Sequence, residues 1–311
     1  MSPDAAARPD LDPGRFATHV FAGRGFPLAH VREGAGEGRP AVLLVHGWPE
    51  TKRIWWRVIE PLAAAGFEVI VPDLRGFGES GVAPDGFHDV PASSRDLEAL
   101  VRSLGHDRIV AVGGDLGGPI VQDLALRFPD LVDRLVLFNS PLPYDKERMA
   151  GLRSIAQSTH DYFWRQATDA DALAAELATP EQRRRYIATF YTSRLWAHPG
   201  AFDDDAVAFH TEPFGDGDRL RASFGAYESV ADPACRSEPP LLRRNPDTPT
   251  VILFGPSDHV IAPDFDRMAA AVFDDHVGPF LLRDCGHFVP WEAPHQLASA
   301  VVAISRDLLA G

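Results

Sequence analysis

Short, unbroken apolar runs alternate with amphipathic stretches through the first half of the chain. AVLLVH (41–46), FEVIVPD (67–73), RIVAVGG (108–114) and LVDRLVLFN (131–139) are rich in branched residues and read as buried strands. Between them lie TKRIWWRVIEPLAAAG (51–66), PASSRDLEALVRSLG (91–105) and LGGPIVQDLALRFP (116–129), with apolar positions at helical spacing. The first ends at Gly66, and Ser93 or Ser94 is the expected N-cap of the second. Strand and helix in this rhythm predict an α/β protein: a mostly parallel twisted sheet with helices on both faces.

After Asn139 the rhythm breaks. Residues 140–245 carry helical and loop-like stretches with no clear strand, and they are dense in aromatics such as Tyr162, Phe163, Trp164, Tyr186, Phe190, Tyr191, Trp196, Phe224 and Tyr227. The strand TVILFG (250–255), the helix PDFDRMAAAVF (263–273) and the strand VGPFLLRD (277–284) then resume the pattern, and Pro290–Gly311 reads as one closing helix. The expected organisation is a core in two parts, 1–139 and 246–311, interrupted by a helical insertion at 140–245. PPLLRRNPDTP (239–249) is the return linker, and residues 1–14, rich in Pro, Asp and Ala, are expected to form a loose arm. No internal repeat or low-complexity tract is visible.

Composition narrows the class. Hydrophobic residues make up 45% of the 311, enough for a sizeable core. A formal net charge of -14 argues against nucleic acid or an anionic membrane surface as partner, since both need a basic footprint. Cys235 and Cys285 are too few and too distant to make a disulfide framework or a metal site. MSPDAAARPDLDPG has neither a basic n-region nor an apolar h-region, and no apolar run approaches the length of a membrane span, so a cytoplasmic protein is expected.

Candidate chemistry gathers at strand ends, where open parallel sheets place their sites. HGWPE (46–50), DLRGFGES (73–80), GGDLGG (113–118), FGPSDH (254–259) and DCGHFVPWE (284–292) all fall there. GGDLGG has the form of a nucleophile elbow, with Asp115 where serine usually stands. Alone, it would read equally well as a helix-capping Asp in a glycine turn. Asp258 and His287 then follow two later strands, giving the order nucleophile, acid, base that this elbow requires. His259 is a weaker base candidate, because it sits beside the acid in sequence.

With these motifs in view, residues 15 to 310 resemble an α/β-hydrolase, and specifically the epoxide hydrolase branch. HGWPE is similar to that branch's H-G-x-P motif, DLRGFGES to its D-x-R-G-x-G-x-S turn and CGHFVPWE to its catalytic-histidine segment. The resemblance implies that backbone N–H groups of Trp48 and Leu116 form the oxyanion hole and that the Trp48–Pro49 peptide is cis. It also implies that His46 shapes the loop rather than moving protons. Asp as nucleophile has a physical reason. At an sp3 carbon a serine would form a stable ether, whereas a carboxylate forms an ester that water can release at the aspartyl carbonyl.

An opening epoxide needs proton donors, which in this branch come from the insertion, whereas a halide leaving group needs N–H donors. Haloalkane dehalogenases typically carry a Trp directly after the nucleophile, and fluoroacetate dehalogenases carry arginines there. This chain has Leu116 followed by GGP. Tyr227, in RASFGAYESV (221–230), matches the second family tyrosine. In STHDYFWRQ (158–166) the first falls near Thr159, leaving His160 and Tyr162 as the candidates. His46, Pro49, Phe163, Trp164 and Phe224 are expected pocket residues. The expectation is therefore an epoxide hydrolase converting a small-molecule hydrophobic epoxide, aromatic or bulky, and water to a vicinal diol, without metal or organic cofactor. It would act as a monomer or homodimer in detoxification or secondary metabolism. The alternative is a haloalkane or haloacid dehalogenase with the same nucleophile; a non-catalytic binding protein of the same fold is a third reading.

Overall fold

The computed structural model describes residues 8–156 and 161–310. Its described residues form an eight-stranded sheet in the order β1-β2-β4-β3-β5-β6-β7-β8. The strands are β1 (Thr18–Phe21), β2 (Leu28–Glu33), β3 (Ala41–Val45), β4 (Glu68–Pro72), β5 (Ile109–Gly114), β6 (Val132–Phe138), β7 (Thr250–Phe254) and β8 (His276–Leu281). β1, β2 and β4 pair antiparallel, and every pair from β4 onward is parallel. β3, β4, β5 and β7 are buried along their whole length, which is why they read as continuous apolar runs.

Chain order reverses at β3, whose neighbours are β4 on one side and β5 on the other. A crevice opens beyond the strand ends at such a switch point. The loops after β3 and β5 face each other across it.

The core helices are α1 (Ile59–Ala64), α2 (Val90–Ser103) and α3 (Gly117–Arg127). α2 begins earlier than expected: Asp89 is its N-cap, accepting from Ala92 N, so Ser93 and Ser94 are not caps. Both serines lie buried inside the helix, and Ser94 Oγ donates to Ile120 O of α3. The expected helix at 51–66 is a 3-10 turn, Lys52–Trp55, followed by the separate α1.

The insertion carries α4 (Asp161–Thr168), α5 (Ala170–Glu176), α6 (Pro180–Tyr191), α7 (Asp204–Thr211), α8 (Gly217–Ser223) and α9 (Gly225–Ala231). It is fastened to the core by Tyr191 Oη, which donates to Pro49 O at 2.6 Å, and by Arg53 Nη1, which donates to Phe209 O at 2.9 Å. After β7 come α10 (Phe265–Val272), α11 (Val289–Glu292), α12 (Pro294–Ile304) and α13 (Arg306–Leu309). The closing segment is thus three helices rather than one. Ala293 and Ser305 leave helical geometry, and Pro294 restarts the helix in its first turn, where a missing N–H is harmless. From Arg8 onward the expected loose arm is tied down: Asp10 pairs with Arg57, and Asp12 O accepts from Trp56 Nε1.

The DLRGFGES turn is held by a buried ion pair. Lys52 Nζ reaches Asp73 Oδ2 at 2.7 Å, while Asp73 also accepts from the backbone N–H groups of Lys52 and Glu79. Burial works against the Asp73 charge, but the Lys52 ammonium and these donors outweigh it and hold its pKa below the ordinary value. Removing one partner strands the other. Lys52→Met is therefore expected to destabilise the fold by about 3–5 kcal/mol in urea unfolding, with much of the loss recovered in the Lys52→Met/Asp73→Asn double variant. A loss below about 1 kcal/mol would show that the pair is not a structural pin.

Candidate active site

Asp115 stands between β5 and α3 with φ 44°, a left-handed conformation unusual for a non-glycine residue. The turn is tight because α3 comes hard against the end of β3: a Cβ on Gly117 would overlap Val45 O and His46 O. Opposite it, a Cβ on Gly47 would overlap the Asp115 side chain. These two glycines let the loop after β3 lie directly on the elbow. There Trp48 N–H donates to Asp115 Oδ1 at 2.7 Å. Leu116 is the N-cap of α3, so its N–H belongs to the helix-start donors that the helix itself leaves unused.

The other Asp115 oxygen, Oδ2, lies 3.3 Å from His287 Nε2. His287 Nδ1 lies 2.8 Å from Asp258 Oδ2. Asp258 Oδ1 accepts from Val260 N (2.7 Å) and Ile261 N (3.2 Å). The three sequence-selected residues thus form one continuous chain of contacts. Burial alone would lower the imidazole pKa. The Asp258 charge and the contacts with both carboxylates overcome it and raise His287 well above its ordinary value.

Asn139, noted in the sequence only as the point where the rhythm breaks, links the strand ends. Its carbonyl accepts from Asp115 N, its Oδ1 from Gly255 N, and its Nδ2 donates to Asp258 Oδ2 at 2.8 Å. It holds φ 30°, a region that asparagine tolerates better than most residues. Glu50, the last residue of HGWPE, is a second holder that no sequence pattern marks. It is buried, and its Oε2 accepts from Gly47 N at 2.6 Å.

His46 is fully buried: its Nε2 accepts from Leu74 N, so Nδ1 is the donor to Gly47 O. Burial lowers its pKa, keeping it neutral in that loop-shaping role. The Trp48–Pro49 peptide is cis, and Pro49 is buried with its carbonyl on Tyr191.

The insertion brings two tyrosines onto the Trp48 indole. Tyr162 stacks on it at 5.7 Å and 7°, Tyr227 meets it edge-on at 5.5 Å, and the two phenol rings are 6.1 Å apart. Burial first, then the Asp115 charge for Tyr162 and the neighbouring Tyr162 for Tyr227, push both phenols well above their ordinary pKa. Both therefore keep the proton they could donate. Trp48 Nε1 donates to Ser223 Oγ at 3.2 Å and is thereby occupied. Phe163 packs edge-on against Tyr227 at 5.2 Å. Trp164 departs from expectation: it is 59% exposed on the outer face of α4. Phe224 is fully buried where α8 meets α9. His160 lies outside the described residues. Among the described residues, no group of three His, Cys, Asp or Glu side chains is placed to hold a metal ion, and no helix is long and apolar enough to cross a membrane.

Residues 40–294 match the model of the alpha/beta hydrolase fold family, and the chain belongs to that family. Over 84% of its length it is 29% identical to the soluble epoxide hydrolase of Corynebacterium sp. (strain C12), covering 87% of that protein. It is 26% identical to an epoxide hydrolase of Caballeronia sordidicola, over 95% of each chain. Among solved structures, the epoxide hydrolase CorEH superposes with a TM-score of 0.79 at 24% identity, covering 94% of this chain and 99% of that one. A Thermogutta terrifontis esterase also superposes, at 0.69 and 23% identity over 94% and 99% of the two chains. The fold is therefore shared across chemistries, and the site must decide between them.

Glu50 generates a pH prediction. Burial pushes its pKa up from 4.5 to about 7, against the opposing pull of the Gly47 N–H. Below about pH 4.5 the carboxyl is protonated whether the chain is folded or not. As pH rises through 7 the fold must accept a buried charge that the unfolded chain carries freely, and stability is lost. Thermal unfolding of wild type and Glu50→Gln between about pH 5 and pH 8 should show wild type losing more stability across that window. Parallel pH profiles would contradict the assignment.

Proposed function

We propose that this protein is an epoxide hydrolase that opens a hydrophobic epoxide to a vicinal diol through an ester on Asp115. The observation that carries the reading is the different fate of the two Asp115 oxygens. Oδ1 is taken by Trp48 N–H and is suited to remain the carbonyl oxygen, while Oδ2 faces His287. It is supported by the likeness to two proteins named as epoxide hydrolases.

In the first half-reaction Asp115 Oδ2 attacks a ring carbon and the carbon–oxygen bond of the epoxide breaks. The departing oxygen takes a proton from Tyr162 or Tyr227, whose raised pKa keeps that proton available until an alkoxide draws it off. Esterification removes the Asp115 charge. That charge is one of the forces raising His287, so its loss lowers the imidazole pKa and frees a base at the step that needs one. His287, oriented by Asp258, then takes a proton from water. The hydroxide oxygen adds to the aspartyl carbonyl, and the oxyanion is held by the N–H groups of Trp48 and Leu116. Collapse expels the diol oxygen, which takes the remaining proton of the attacking water and so restores the carboxylate. The proton that His287 released on esterification has by then returned to the tyrosinate, and the proton taken from water leaves His287 as it began.

A halide leaving group would want an N–H donor beside the nucleophile. Leu116 has none in its side chain, and the Trp48 indole N–H is committed to Ser223. The aromatic surroundings of Tyr162 and Tyr227 suit an apolar, ring-bearing epoxide.

Asp115→Ala is expected to abolish diol formation from a panel of aryl and alkyl epoxides while leaving the circular dichroism spectrum unchanged. His287→Gln is expected to stop at the ester, so intact-mass and peptide analysis should find one substrate mass added to the Asp115 peptide. An active Asp115→Ala variant, or halide release without diol from a matched set of haloalkanes, would remove this reading. Tyr162→Phe and Tyr227→Phe should each slow ester formation by about 10²-fold, as loss of a general acid does. An unchanged alkylation rate in either variant would demote that tyrosine to packing.

A further inference from the structure

The base has a mount of its own, and its centre is Glu292. This carboxylate accepts three backbone N–H groups. Two belong to the residues on either side of His287: Gly286 N at 2.8 Å to Oε2, and Phe288 N at 2.9 Å to Oε1. The third is His198 N, at 2.9 Å to Oε2, and His198 lies in the insertion between α6 and α7. No lysine or arginine among the described residues pairs with Glu292, so its charge is spent on these donors. The same stretch of the insertion touches the base in two further ways. His287 N donates to Trp196 O at 2.7 Å, and the Trp196 ring meets the imidazole edge-on at 4.6 Å. Next to the acid, His259 N donates to Leu195 O at 2.9 Å. Leu195, Trp196 and His198 therefore hold the loops that carry Asp258 and His287, and Glu292 holds both sides of the base at once.

We propose that Glu292 is a positioning residue for His287: its carboxylate clamps the peptides on both sides of the base and hooks the insertion onto the same clamp, so that the base is aligned only while the insertion is docked. The inference rests on the two-step reading above and predicts that the two steps separate. Ester formation needs Asp115, Trp48 and the tyrosines, none of which Glu292 touches. Ester hydrolysis needs His287 within hydrogen-bond reach of a water, and a misplacement on the order of 1 Å at such a group can cost about 10²-fold.

Glutamine at this position keeps the shape but turns one of the two accepting oxygens into a donor facing an N–H. Rapid-quench mass spectrometry on wild type, Glu292→Gln and Glu292→Asp, with an epoxide that wild type converts to diol, tests the proposal. In Glu292→Gln, ester formation and kcat/KM should stay within about twofold of wild type, while ester hydrolysis and kcat fall by about 10- to 100-fold and the ester accumulates. Glu292→Asp, still anionic but one methylene shorter, should recover part of the hydrolysis rate. Should Glu292→Gln fail to fold, Glu292→Asp must show the same split in milder form. Unchanged hydrolysis, or equal slowing of both steps, would overturn the role of Glu292 and leave the two-step reading standing. Absence of diol from wild type would instead sink the two-step reading itself.

Discussion

The hydrogen bond from Trp48 N–H to Asp115 Oδ1 exists only because two strand-end loops are forced together. The left-handed backbone at Asp115 carries strain on the order of 1–3 kcal/mol, and packing around it must hold that strain in place. Gly117 allows α3 to start against the last carbonyls of β3, and Gly47 allows the loop after β3 to pass over the Asp115 side chain. Asn139 closes the turn from the other side by accepting from Asp115 N. Relaxing any of these contacts would release the carboxylate from its donor and from His287 together. The eight-stranded sheet serves this one turn by setting the ends of β3, β5, β6 and β7 side by side as successive hydrogen-bonded neighbours.

Electrostatically, the site gathers carboxylates around one imidazole. Asp115 and Asp258 touch His287, and the charges of Glu50 and Glu292 are near enough to be influenced by it. Among the described residues none of the four forms an ion pair with lysine or arginine. Their holders are neutral: the N–H groups of Trp48, Gly47, Val260, Ile261, Gly286, Phe288 and His198, and the Asn139 amide. Neutral dipoles fix carboxylates in place without cancelling them. A fixed cation at Asp258 would have weakened the field that raises His287, and with it the change in basicity expected when Asp115 is esterified. The buried cation Lys52 is kept on Asp73 and Glu79, in the neighbouring turn.

The sheet was legible in the sequence wherever strands are buried on both faces, because burial writes itself as an unbroken apolar run. β1 and β2 were not legible. β1 is short and exposed, and THVF mixes polar and apolar residues as an edge strand does. The triad could be read because each member follows a strand and the order is constrained. The holders could not: Asn139 looks like any strand-terminating asparagine, and its hub role depends on loops more than a hundred residues away in sequence. Glu50 and Glu292 sat inside quoted motifs, yet a carboxylate that caps backbone N–H groups leaves no pattern distinct from a surface acid. In the insertion, aromatic density predicted packing around a pocket but not which rings face out. Trp164 and Phe163 are adjacent on α4, and only Phe163 turns toward Tyr227.

Trp48 explains why the insertion and the nucleophile cannot be treated as separate parts. Its backbone N–H serves Asp115, its indole N–H is bonded to Ser223 of α8, and its ring packs against Tyr162 of α4 and Tyr227 of α9. A displacement of α8 would therefore be felt at the N–H that holds Asp115 Oδ1, and one of α4 or α9 at the same residue through its ring. On the base side, Trp196 O and Glu292 do for His287 what Trp48 does for Asp115. The insertion reaches the nucleophile through one tryptophan and the base through another. Its docking thus bears on both halves of the proposed two-step reaction, and a change in its packing should alter the balance between ester formation and ester release before it abolishes either.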